Sequence, residues 1–236
     1  MNRRAQSHVV GVALLLGVTA LSLAALTATI GAIVDENAAG VDADRVAADV
    51  DAALAPAAVT GPHSGRVAFT AGRLYTEPRT VRLLNDSGVV AAVPADALVY
   101  DAGSHRVAFL GGAMVRGRPG NAVVTGDAPV AVSAGTVVVG VAALGGERVD
   151  VSGDGRLTLS TRVSHDRTSM PRGNWRVAVE TATPAAWERY FGRFGASVDR
   201  RDLDGDGDAS VVASFPGERR AHLVVHRLRL EVYGSA

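Results

Sequence analysis

Four aspartates at alternate positions, Asp202, Asp204, Asp206 and Asp208, surround Gly205 and Gly207. Carboxylate oxygens are hard ligands, and acids at loop positions 1, 3 and 5 with Gly at position 6 open a calcium loop. The match ends at position 12, where Ala213 stands instead of a bidentate Glu. Four carboxylates this close repel one another, which a cation would relieve. An Asp-Gly repeat between two strands is equally the composition of a solvated hairpin loop. The expectation is no resident cofactor, with calcium at the four aspartates as the alternative. Asn85-Asp86-Ser87 is an N-glycosylation sequon placed in a turn. The six histidines are scattered. Of these, His222 and His226 share a strand face but lie about 13 Å apart along it, too far to hold one metal.

Other chemistry is excluded by residue type. There is no Cys, so disulfides, thiolate metal sites and cysteine nucleophiles are absent. Every basic residue is Arg. Gly111-Gly112 and Gly145-Gly146 therefore lack the Lys of a phosphate loop. No Ser, His and Asp stand in a nucleophile-elbow pattern. Nothing points to catalysis, and the expectation is a protein that is not an enzyme. The 24 basic and 24 acidic residues balance, so no global field selects nucleic acid.

The elements that would position these groups begin with a helix. Val9–Val34 runs for 26 positions without a charge, behind Arg3 and Arg4 and ahead of Asp35 and Glu36. About 20 apolar residues span a bilayer, and the flanking charges place the N-terminus in the cytoplasm and the rest outside. A cleaved secretory signal has a shorter apolar core, so the helix is expected to be kept as a single-pass anchor in the cell membrane. Ile33, Val34, Val41, Val46, Val50 and Leu54 continue the helical spacing among six acids, until Pro56 stops it. Residues 6–55 read as a transmembrane helix with an amphipathic extension that packs on the domain behind it. A mobile acidic tether is the other reading of the extension.

Residues 56–236 read as a β-rich external domain. Runs such as Arg66–Thr70, Thr80–Leu84, Ala97–Tyr100, Arg106–Leu110, Thr136–Leu144, Arg156–Val163 and Ala221–Tyr233 are separated by turn residues at short spacing. The fold class is α+β: a long N-terminal helix, then a mainly antiparallel sandwich-like domain. One helix interrupts it. Thr183 suits an N-cap and Pro184 the first turn, and Trp187, Tyr190, Phe191 and Phe194 fall on one face.

Arg3-Arg4-Ala5-Gln6-Ser7-His8-Val9-Val10-Gly11 and the apolar run behind it resemble the class III, prepilin-type signal of archaeal type IV pilin-like proteins. Arg106–Met114 and Trp187–Phe191 are similar to segments of a haloarchaeal pilin-like family of unknown function. The resemblance implies a leader, residues 1–5, cut between Ala5 and Gln6 by a membrane prepilin peptidase. It implies that the apolar helix is retained and meets the lipid bilayer or other pilin-like subunits. His8 and Val10 stand where many pilins carry an early Glu, which leaves open an anchored ectodomain that binds a ligand or envelope partner without polymerising.

Overall fold

The computed structural model describes residues 3–54, 59–126, 128 and 130–235, with side chains for residues 13–234 of these. Pro56, expected to stop the first helix, lies outside the described residues. Helix α1 (Arg3–Leu54) leads into β1 (Gly61–Phe69), β2 (Arg73–Glu77), β3 (Thr80–Asn85), β4 (Gly88–Pro94), β5 (Ala97–Ala102), β6 (His105–Leu110) and β7 (Ala113–Arg116). Then come β8 (Val123–Thr125), β9 (Val130–Val132), β10 (Thr136–Gly146), β11 (Asp150–Ser152), β12 (Gly155–Gly173) and β13 (Arg176–Glu180). Helix α2 (Pro184–Gly192) precedes β14 (Ser197–Arg201), β15 (Ser210–Ser214) and β16 (Arg219–Ser235). The α+β class is as expected, and the strands are mostly antiparallel.

The strands form three sheets instead of the two of a simple sandwich: β1-β12-β16-β10-β9, β11-β2-β5-β6-β7-β8, and β14-β15-β13-β3-β4. Only the β10–β16 pair is parallel among the described ladders. Three sheets cannot all bury a face in one shared layer, and the described residues form two large cores. The first lies between the second and third sheets, the far part of β10 and β16, and α2; Val99, Val115, Val139, Val177, Trp187, Phe191 and Leu223 fill it. The second is closed by α1; Val46, Val50 and Leu54 pack there on Phe69, Tyr100, Phe109, Leu159 and Leu230.

β12 and β16 tie the two cores together. They run for 19 and 17 residues, far beyond the usual five or six. In β16 the buried face changes along the strand. Ala221, Leu223 and Val225 enter the first core, whereas Leu228 and Leu230 enter the second. Val224, between Leu223 and Val225, is only half-buried, because its stretch of the strand buries the opposite side. Strand β6 alternates, with Val107 and Phe109 buried and Arg106 and Ala108 half-buried.

The aromatic stripe of α2 caps the first core. Trp187, Tyr190 and Phe191 are buried and their rings meet at 5.5–5.8 Å between centroids. Thr183 is the N-cap residue, yet its side chain makes no cap hydrogen bond. Instead Thr181 Oγ1 accepts from the Thr183 N–H at 3.1 Å, and Pro184 removes one donor that would need a partner.

Candidate functional site

Two features stand apart from the packed cores: the projecting half of α1 and the acidic loop between β14 and β15. The helix is a single element with two different surfaces. Leu14, Leu16, Leu21, Leu26, Ile30 and Ile33 are all more than half exposed, on every side of the helix. A helix that is apolar all round has no aqueous face. By length and composition the stretch is long and apolar enough to cross a membrane. From Ala13 to Val34 it rises about 33 Å, close to the thickness of a hydrocarbon core. Three threonine hydroxyls along it are satisfied internally. Thr19, Thr27 and Thr29 donate to the carbonyls of Leu15, Leu23 and Ala25 at 2.8–2.9 Å, which suits a medium without water.

The second half of α1 is docked, not a tether. Ala43, Val46, Ala47, Val50, Ala53 and Leu54 are buried. They face β1, β5, β6 and β12. β1 runs antiparallel beside the helix, and contacts follow in order. Thr70 N–H donates to buried Asp42 at 2.8 Å, Ala68 N–H reaches Asp49 at 3.4 Å, and Gly65 lies against Ala53. A Cβ on Gly65 would stand 2.5 Å from Ala53 Cβ, so only glycine allows this approach.

Several acids that the sequence places between apolar residues find partners on the sheets. Burial raises the Asp42 carboxyl, but the Thr70 hydroxyl and N–H and Arg45 outweigh it and hold it below its ordinary value. Asp44 pairs with Arg116 at 2.7 Å. Glu36 accepts from the Ser104 hydroxyl and meets His105 Nε2 at 3.2 Å. The Ser104 hydroxyl is the main reason its carboxyl lies below the ordinary range. Docking therefore begins two residues after Val34. Ala5 and Gln6, the expected cleavage pair, lie in the first turns of α1, outside the described side chains.

The acidic loop is assembled differently from a calcium loop. Asp202 turns inward and accepts N–H bonds from Gly205 at 2.7 Å and Gly207 at 3.0 Å. Those two donors hold its carboxyl below the ordinary value. Positive φ at both glycines, +81° and +91°, makes the turn possible. Asp208 is held by Arg79. Asp204 is held by Arg82. The group that gathers is Glu180, Asp204 and Asp206, with carboxylate oxygens within 4.8 Å of one another. Asp202 and Asp208 are not part of it, and Glu180 at the end of β13 was not legible as a member.

Arginines already pair with two of the three carboxylates in that group. Arg82 Nη1 donates to Glu180 at 3.0 Å and to Ser210 Oγ at 3.3 Å. Arg79 stands 3.8 Å from Glu180 and 3.1 Å from Glu77. Arg106 extends the chain to Glu77 at 3.2 Å, Asp101 at 2.8 Å and Tyr75 at 2.9 Å. Burial raises Glu180, only partly offset by Arg82, and the Asp204 and Asp206 charges add to the rise. The Tyr75 hydroxyl is pushed up to about 12 by burial and by its bond to Asp101. The result is a continuous polar seam from the second sheet to the third.

Asn85 closes the β3–β4 turn, with Oδ1 accepting the Ser87 N–H at 2.9 Å. His165 lies directly across from His226, and His222 across from Ser169, in the β12–β16 ladder.

Residues 4–231 match DUF7289, a family of unknown function. No curated protein and no solved structure matches the chain.

Proposed function

The chain belongs to the DUF7289 family, and from that premise we propose that it is a pilin-like, membrane-anchored surface protein. Its role is structural, in the assembly of a type IV pilus-like system, and it performs no catalysis. One observation carries the reading: a single unbroken helix has one half docked on the β domain and the other half apolar all round. An apolar half that projects from its own chain needs lipid or other helices around it. Small residues on it, among them Gly17, Ala20 and Ala24, allow close helix–helix approach.

In this reading Arg3 and Arg4 stay in the cytoplasm and the β domain stands outside. A prepilin peptidase removes residues 1–5, leaving Gln6 as the mature terminus. Asn85 lies on the external side, at a turn where a glycan can be attached. The acidic loop is a staple held by arginines and has no resident metal. Mass spectrometry of the N-terminal peptide from the native host tests the reading. Gln6 at the terminus, with the protein in the membrane fraction, is expected. A terminus at Met1 or beyond Val34 refutes it.

A second reading keeps the anchor without polymerisation. His8 and Val10, where many pilins have an early Glu, favour it. The protein would then bind a ligand or envelope partner as a lone ectodomain. Crosslinking in cells separates the two, since only the first gives ladders with pilin-like subunits.

A further inference from the structure

We propose that His165 and His226 form a binding site for a divalent transition ion of the zinc class, on the open edge of the first sheet. The two residues are direct partners in the antiparallel β12–β16 ladder. Their Nδ1 atoms lie 2.9 Å apart, and the ring centroids are 4.9 Å apart with planes at 84°. Opposed positions in such a ladder bring Cβ atoms within about 5 Å, close enough for both imidazoles to reach one ion. A tetrahedral zinc with bonds of ~2.05 Å holds two ligand nitrogens about 3.3 Å apart. The rings therefore need to part by only about 0.4 Å.

The site is open to solvent. β1 pairs with β12 only as far as Gly61 opposite Val163. Beyond that, residues 164–169 are exposed on both faces, and His226 is half-buried beside them. The nearby charges leave room for a cation. Asp166 and Arg227 neutralise each other at 2.6 Å on the opposite face. Arg167, two residues along β12 and opposite Val224, is the like charge next to the pair on its own face. His222 is turned to Ser169 at 2.9 Å and belongs to a separate position, four residues up the strand.

Proton balance allows both rings to bind one ion. In the neutral pair one Nδ1–H donates to the other Nδ1. To present both lone pairs, the donor ring moves its proton to Nε2, with no net release. Each ring can bind the ion only through a nitrogen that carries no proton. Imidazole nitrogen selects zinc, copper or nickel over calcium and magnesium, which require oxygen. The pair is thus chemically distinct from the all-oxygen group at Glu180. Two protein ligands leave two positions for water.

Titration calorimetry of the full chain in detergent with zinc chloride, alongside NMR of labelled histidine rings, tests the site. One zinc event that shifts both His165 and His226 is expected. His165→Ala and His226→Ala should each weaken it by about tenfold or more, while His222→Ala and Asp204→Asn leave it unchanged. No zinc event, or one of equal affinity in parent and both alanine variants, overturns the proposal.

Discussion

Replacing Gly65 with Ala places a methyl carbon 2.5 Å from Ala53 Cβ and 2.7 Å from Ala53 Cα. Carbon atoms rest at about 3.5–4.0 Å, so β1 and α1 must separate by roughly 1 Å. Neither neighbour can rotate away, because both are fixed to the helix backbone. Gly65 has no left-handed φ, so the substitution carries no backbone strain and reports the contact alone. Overpacking of this kind costs about 1–3 kcal/mol. For a domain near this size each kcal/mol lowers Tm by about 2–4 °C. Thermal unfolding of Gly65→Ala in detergent, followed by circular dichroism, should show Tm lower by roughly 2–12 °C. Hydrogen exchange should speed up in residues 43–54 before it does in α2. Adding Ala53→Gly removes one of the two clashes and restores only part of the loss. A Tm within about 1 °C of the parent, or unchanged exchange along α1, would refute the tight helix–strand seam.

Asp42→Asn keeps the shape but weakens the acceptor for Thr70, and should cost about 1–3 kcal/mol by denaturant unfolding. Because the folded Asp42 carboxyl is depressed, its contribution is complete above its ordinary value and is lost as pH falls through the folded value. The stability difference between parent and variant should therefore shrink in acid. Arg82→Met strands the buried Glu180 carboxylate and should cost about 3–5 kcal/mol, with Arg82→Met/Glu180→Leu recovering most of it. Millimolar calcium should leave the Tm unchanged, since Arg82 already pairs with Glu180 and Asp204 of the Glu180, Asp204 and Asp206 group. A calcium-dependent rise that Asp206→Asn abolishes would show a resident ion instead.

Strand and helix positions were legible wherever one face is buried against water. Val107 and Phe109 alternate with half-buried neighbours, and Trp187, Tyr190 and Phe191 repeat at helical spacing, so both elements announced themselves. The amphipathic extension of α1 was readable for the same reason. β12 beyond Val163 was not. Residues 164–169 are exposed on both faces, and a strand without a buried face has no period to read. The side change in β16 was hidden too, because it depends on which core lies opposite each stretch. The same limit applied to the sites. Asp204 and Asp206 stood out by spacing, but Glu180 reaches them across the sheet from another strand. His165 meets His226 only once the register of the β12–β16 ladder is known. Neighbours along the chain are visible in a sequence, while neighbours across a ladder are not.

The side-by-side course of α1 and β1 has a mechanical consequence. From Asp42 to Ala53 the helix climbs about 16 Å, and from Thr70 to Gly65 the strand covers the same distance. A pull along the projecting half of the helix therefore loads the β1–β12 ladder lengthwise. Its rungs then bear the load together, in shear, and cannot be peeled one at a time. With docking already begun at Glu36, no slack segment absorbs the tug first. The projecting half of the helix and the domain therefore turn and lift as one rigid part.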